Sequence, residues 1–184
     1  YLCTKFAFFN INNNNNNTNF NFMKKISLFL SALLISAISM AATVTMDFTS
    51  AAGLEAIGIP YPTKAENDGA YSSNLVIGQA YTQEGASLTV TKKGSTDTRI
   101  WLAAKGTMDL RHYKGGVLTF SAPAGSVITK IVFAGGSITG LENLNNKTWE
   151  GTAPSVDIPA AAGASTIKIN TITITYEASG TDIV

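Results

Sequence analysis

Four side chains in the stretch TRIWLAAKGTMDLRHYKGG are the best equipped for chemistry: Arg99 and Trp101, then Arg111 and Tyr113. Each arginine stands two residues before an aromatic. Successive side chains on a strand point to opposite faces, so each pair shares a face, and two neighbouring strands would merge the four into one patch. Such a patch suits a sugar, because aromatic faces take the C–H groups of the ring while planar guanidinium nitrogens donate to its hydroxyls. Arg99, Trp101, Arg111 and Tyr113 are therefore the candidate ligand-binding residues. The plain alternative is a guanidinium stacked on a ring as part of the scaffold, worth on the order of 0.5–2 kcal/mol.

Other residues offer less. Trp149 with Glu150 either borders the same patch or plugs the core. Tyr61, Asn67, Asp68 and Tyr71 lie in a polar stretch and could rim a ligand or simply face water. Asp97, Glu142, Asn143 and Asn145 are of the type that holds Ca²⁺ in loops, but no stretch has EF-hand spacing, and no metal site or cofactor is assigned. Catalysis is not expected. His112 is the only histidine and shares a strand face with Leu110, the place of a packed residue. GGSITG at 135–140 puts its last glycine one residue too late for a nucleophile elbow, and no phosphate loop, dinucleotide fingerprint or zinc pattern occurs. The twelve acids are scattered without an evident glycosidase pair. Asn146-Lys147-Thr148 matches a glycosylation sequon at chance frequency.

The elements that must carry the patch follow from alternation with period two. Between Thr98 and Phe133 four short strands are expected. Ile100 and Leu102 face inward on the first, Met108, Leu110 and His112 on the second, Leu118 and Phe120 on the third. The fourth sets Val127, Ile131 and Phe133 on one face and Ile128 and Val132 on the other, which suits the middle of a sheet. Upstream, 43–48 reads as a strand with Val44, Met46 and Phe48 inward, and 50–57 as a helical turn capped by Ser50. Residues 58–74 read as a long loop, 75–77 as a short strand and 87–92 as a clearer one. Downstream come a Gly- and Asn-rich connection at 134–148, short strands at Trp149 and at 155–158, and a closing run from Thr166 to Tyr176. In that run Ile167 and Ile169 are out of phase with Ile172 and Ile174, so a β-bulge is expected near Asn170-Thr171. Nine or ten short strands with little helix imply an all-β chain, an antiparallel β-sandwich or jelly roll forming a single domain. A closed barrel is the competing architecture.

The chain has 184 residues and a formal charge of +1. Residues 1–22, with their asparagine tract, read as a translated leader outside the fold. Residues 23–41 read as a signal peptide: Lys24-Lys25, an apolar run from Ile26 to Ile38, and a small-residue exit cleaved after Ala41. That run is shorter than the ~20 residues a membrane span needs. The sandwich is expected over 42–178, and 179–184 read as the start of a linker. Cleavage removes Lys5, Lys24 and Lys25 with no acid, so 13 basic and 12 acidic residues become 10 and 12 and the charge becomes −2. A nearly neutral chain with scattered lysines gives no footprint for nucleic acid. The single cysteine, Cys3, lies in the leader, which leaves the remainder without disulfide or thiolate chemistry.

Thr98-Arg99-Ile100-Trp101, Leu110-Arg111-His112-Tyr113, LTFSAPAGSVITKIVF, Thr148-Trp149-Glu150-Gly151 and the closing IKINTITITY together resemble a β-sandwich domain of secreted and surface proteins from Bacteroidales bacteria. The resemblance covers nearly all of the chain after Ala41. A looser one is to galactose-binding-like jelly rolls, and Gly180 to Val184 resembles the junction before a C-terminal secretion and anchoring tail. The resemblance implies the fold and a secreted or cell-surface location, but no agreed activity. The expectation is thus an exported, non-catalytic module that binds carbohydrate or another extracellular polymer, its partner a glycan or a surface protein. The alternative is a structural, adhesin-like spacer domain. Exposure of Trp101 separates the two.

Overall fold

The computed structural model describes residues 41–66 and 69–179. The expected leader, the signal peptide up to residue 40, the junction at 180–184, and Asn67 and Asp68 lie outside the described residues. The described elements are β1 (Ala42–Asp47), α1 (Ala51–Ile57), β2 (Lys64–Ala65), β3 (Tyr71–Asn74), β4 (Ala80–Gln83), β5 (Ala86–Lys92), β6 (Arg99–Leu102), β7 (Met108–His112), β8 (Val117–Ser121), β9 (Ser126–Ala134), β10 (Thr148–Ala153), β11 (Ser155–Pro159), β12 (Ile167–Ile169) and β13 (Thr171–Ala178). They form three open antiparallel sheets, ordered β1-β13-β9-β10, β11-β8-β5-β4 and β12-β7-β6-β3-β2. The outer edge of β12 is partly covered, by an antiparallel bridge between Lys168 and Ser137. The architecture is a β-sandwich with a single short helix among the described residues.

One core serves all three sheets. Met46, Ile131, Phe133, Ile172 and Ile174 come from the first, Leu88, Leu118, Phe120 and Ile158 from the second, and Ile100, Leu110, Ile167 and Ile169 from the third. Each is at most 1 % exposed. Phe120 meets Phe133 edge to face, centroids 5.7 Å apart and planes at 78°, which joins two sheets across the core. Alternation along each strand produces this arrangement, since the residues between these apolar ones face outward. The outer faces are hydroxyl-rich: Thr43 pairs with Thr175 at 3.2 Å, Thr45 with Thr173 at 3.0 Å, and Thr91 with Thr119 at 2.7 Å. Helix α1 is nucleated as expected, with Ser50 Oγ accepting from the Gly53 amide at 3.0 Å and Leu54 and Ile57 buried. Gly58 ends it in the left-handed conformation, φ 78°.

Several elements differ from the sequence reading. The expected loop at 58–74 contains β2 and β3, the latter pairing with β6, and 75–77 is not a strand. Leu75 is buried beside it, while Ile77 makes a single bridge to Val90. Strand β4 was not anticipated because Tyr81 is its one buried residue; it forms by hairpin pairing with β5 across Glu84-Gly85, both at positive φ. On β9, Ile128 is buried with Ile131 and Phe133 rather than facing away with Val132. Pairing with β13 skips Thr129, and this bulge returns Ile128 to the core. The phase break near Asn170 is not a bulge within one strand. There the chain leaves the five-stranded sheet, where β12 pairs with β7, and enters the four-stranded one, where β13 lies between β1 and β9. Changing sheets keeps Ile167, Ile169, Ile172 and Ile174 all fully buried.

Candidate functional site

The outer face of the five-stranded sheet gathers all four candidate residues. In the β6–β7 register Arg99 lies opposite Arg111, and Trp101 lies opposite Asp109. Two like charges directly opposite would repel. Each guanidinium is instead held diagonally by a ring and by a carboxylate. Arg111 lies over Trp101, its Cζ 4.2 Å from the ring centroid, and its Nε donates to Asp109 Oδ1 at 3.1 Å. Arg99 lies 5.9 Å from the centroid of Tyr113, and its Nη1 donates to Glu66 Oε1 at 3.3 Å and its Nε to the Asp97 carbonyl at 3.4 Å. The aromatic partners are thus exchanged between strands: each arginine stacks on the ring of its neighbour, not on the ring two residues along its own strand.

The carboxylates complete the platform. Ser72, 1 % exposed and opposite Trp101, donates to Glu66 Oε1 at 2.7 Å. That hydroxyl is the chief reason the Glu66 carboxyl sits below its usual value; partial burial opposes it, and Lys64 and Arg99 add to it. Burial pushes the Tyr113 phenol up, with both guanidiniums pulling against it. Arg99 and Glu66 keep 15 % and 21 % of their side chains exposed, and Trp101 is half-buried. The face is therefore close to charge-balanced, and its charged side chains are only partly exposed. Asp109 was legible in sequence as the acid two residues before Arg111 on the same face. Glu66 was not, because nothing in a Pro- and Gly-rich stretch shows that it folds back beside β3.

The remaining candidates fall elsewhere. Trp149 faces the core opposite the buried Ile131, its ring laid against Gly151, where an added Cβ would stand 2.7 Å from Trp149 Cζ2. Tyr71 is 44 % exposed but pairs with Leu102, on the opposite face of the sheet from Trp101. Tyr61 is exposed as well. Asp97 is engaged by Lys93 at 2.8 Å and by the Asn74 amide at 3.3 Å. No group of three or more His, Cys, Asp or Glu placed to hold a metal occurs among the described residues. His112 is fully enclosed: its Nδ1 lies 2.7 Å from Thr98 Oγ1, and burial pushes the imidazole down to about 4. The Gly116 peptide lies against the ring, yet Nε2 has no hydrogen-bond partner of good geometry among the described residues.

No family model, no curated protein and no solved structure matches the chain. Among the described residues no helix is long and apolar enough to cross a membrane.

Proposed function

We propose that the chain is an exported, non-catalytic β-sandwich module that binds carbohydrate or another extracellular polymer on the outer face of the five-stranded sheet. The observation that carries this reading is the union of Arg99, Trp101, Arg111 and Tyr113 on one face with Glu66 and Asp109 balancing their charge. A neutral platform favours a neutral ligand. Arg111 meets Asp109 through Nε alone, and its guanidinium carries further N–H donors of the kind that bind ligand hydroxyls. The enclosure of His112 supports a binding role over an enzymatic one, because the only imidazole of the chain faces no substrate.

The test is tryptophan fluorescence during titration with soluble glycans. The chain has two tryptophans, so Trp101→Phe and Trp149→Phe assign the signal. One glycan is expected to shift the emission and protect it from a neutral quencher, an effect lost in Trp101→Phe and kept in Trp149→Phe. Indifference of Trp101 to every glycan removes the platform as a binding site. A spacer-domain reading is favoured by one observation: the guanidinium of Arg111 already covers a face of Trp101 at 4.2 Å.

A further inference from the structure

A second polar surface lies on the connection between β9 and β10 and shares no residue with the Arg–aromatic platform. Asn143, Asn145, Asn146, Thr148 and Glu150 line a cavity of about 440 Å³. That volume is within the range of small-ligand sites. The connection is tied down along its length. Ile138 is 3 % exposed and anchors it in the core, the Lys168 backbone amide donates to the Ser137 carbonyl at 2.9 Å, and the Glu142 amide donates to the Pro159 carbonyl at 2.8 Å. Asn145 and Thr148 exchange backbone hydrogen bonds at 2.8 and 2.9 Å, closing a turn whose central residues, Asn146 and Lys147, both have positive φ.

Turn geometry accounts for part of this composition. Asn143 at φ 63° and Asn146 at φ 46° occupy the left-handed region, which asparagine tolerates. It does not account for Asn145, which has no positive φ, nor for three exposed asparagines lining one cavity. None of the three amides is hydrogen-bonded to another described residue, so each offers a free carbonyl acceptor and two N–H donors. Glu150 adds an acceptor, and its charge is balanced by Lys130 at 2.8 Å. Such a donor set fits hydroxyls and amides better than it fits a cation, which would ask for more anionic oxygens. A second hollow of about 290 Å³ adjoins the cavity through Asn146 and is lined by the apolar Ile138, Leu141 and Leu144. Polar cup and apolar shelf together call for a ligand with both kinds of group.

The geometry points to a saccharide site that takes an N-acetylated sugar, its hydroxyls and amide in the asparagine cup and its acetyl methyl on the partly exposed Leu141 and Leu144. The site stands whether or not the platform binds anything. The test is ¹⁵N-correlation NMR of the protein with chitotriose and with cellotriose, sugars that differ by an acetamido group in place of a hydroxyl. Side-chain amides give their own signals, so the cup is read directly, and the Trp101 indole reports the platform separately. Chitotriose is expected to shift the Asn143, Asn145 and Asn146 side-chain signals at least five-fold more tightly than cellotriose. Asn143→Gly with Asn145→Ala is expected to weaken binding at least ten-fold; glycine keeps the positive φ at 143, so the fold is retained. Trp101→Phe should leave this titration unchanged. Equal response to both sugars, silence of the asparagine signals, movement of those signals by calcium chloride instead, or binding that survives loss of the amides would overturn the assignment.

Discussion

Lowering the pH from 7 to 5 tests the placement of His112 directly. Its ring is fully buried, bonded through Nδ1 to Thr98, and held neutral, with a folded-state value near 4 against an ordinary 6.5. The value is depressed on folding, so the unfolded chain binds the proton more readily between those two limits. Stability is therefore complete above pH 6.5, falls as the pH drops toward 4, and levels once the folded state also protonates. The whole difference corresponds to roughly 3 kcal/mol, of which about 2 kcal/mol is lost between pH 7 and pH 5. Carboxylates act lower in the scale. Asp47 is raised by burial but lowered further by hydrogen bonds from Ser50 and Thr49, so its share disappears only below about pH 4. The assay is urea unfolding at half-unit steps of pH, alongside His112→Asn, which offers Thr98 a short polar partner without an imidazole. The variant is expected to be weaker at pH 7 but flat between 7 and 5. A native stability that does not change over that interval, or an equal slope in His112→Asn, would refute the burial argument.

Three further outcomes are expected. Arg111→Ala strips the cover from Trp101 and leaves Asp109 unpaired, so tryptophan emission should become more quenchable with a loss of about 1–2 kcal/mol; unchanged quenching would contradict the 4.2 Å stack. Lys147→Gly relieves a side chain held at φ 65° in a tight turn and should raise the urea midpoint by the equivalent of about 1 kcal/mol. Phe133→Ala opens a cavity against Phe120 at the junction of two sheets and should cost about 3–5 kcal/mol in the same measurement, with a cost below 1 kcal/mol arguing against that packing.

The parts of this fold legible in the sequence are those where one face of a strand is buried and the other wet. Alternation placed Arg99, Trp101, Arg111 and Tyr113 on one face because Ile100, Leu110 and His112 behind them had to be buried. It could not say which ring each arginine would choose, since that depends on the β6–β7 register, and the diagonal at Arg99↔Arg111 crosses the pairs between strands. Breaks in phase were visible but not their meaning. A phase break says only that the apolar face has changed partner, and at Asn170 the change is to another sheet, whereas at Thr129 a true bulge does the same work inside one strand. The asparagine cup was hidden for a related reason: Asn and Gly between strands signal a turn, and whether the asparagines line one cavity is decided by how Ile138 and the Pro159 carbonyl fasten the connection. The two candidate surfaces differ in the same respect. On the platform each guanidinium already has a ring and a carboxylate, while in the cup the amides have no such partners, so a ligand there would displace solvent rather than an existing bond.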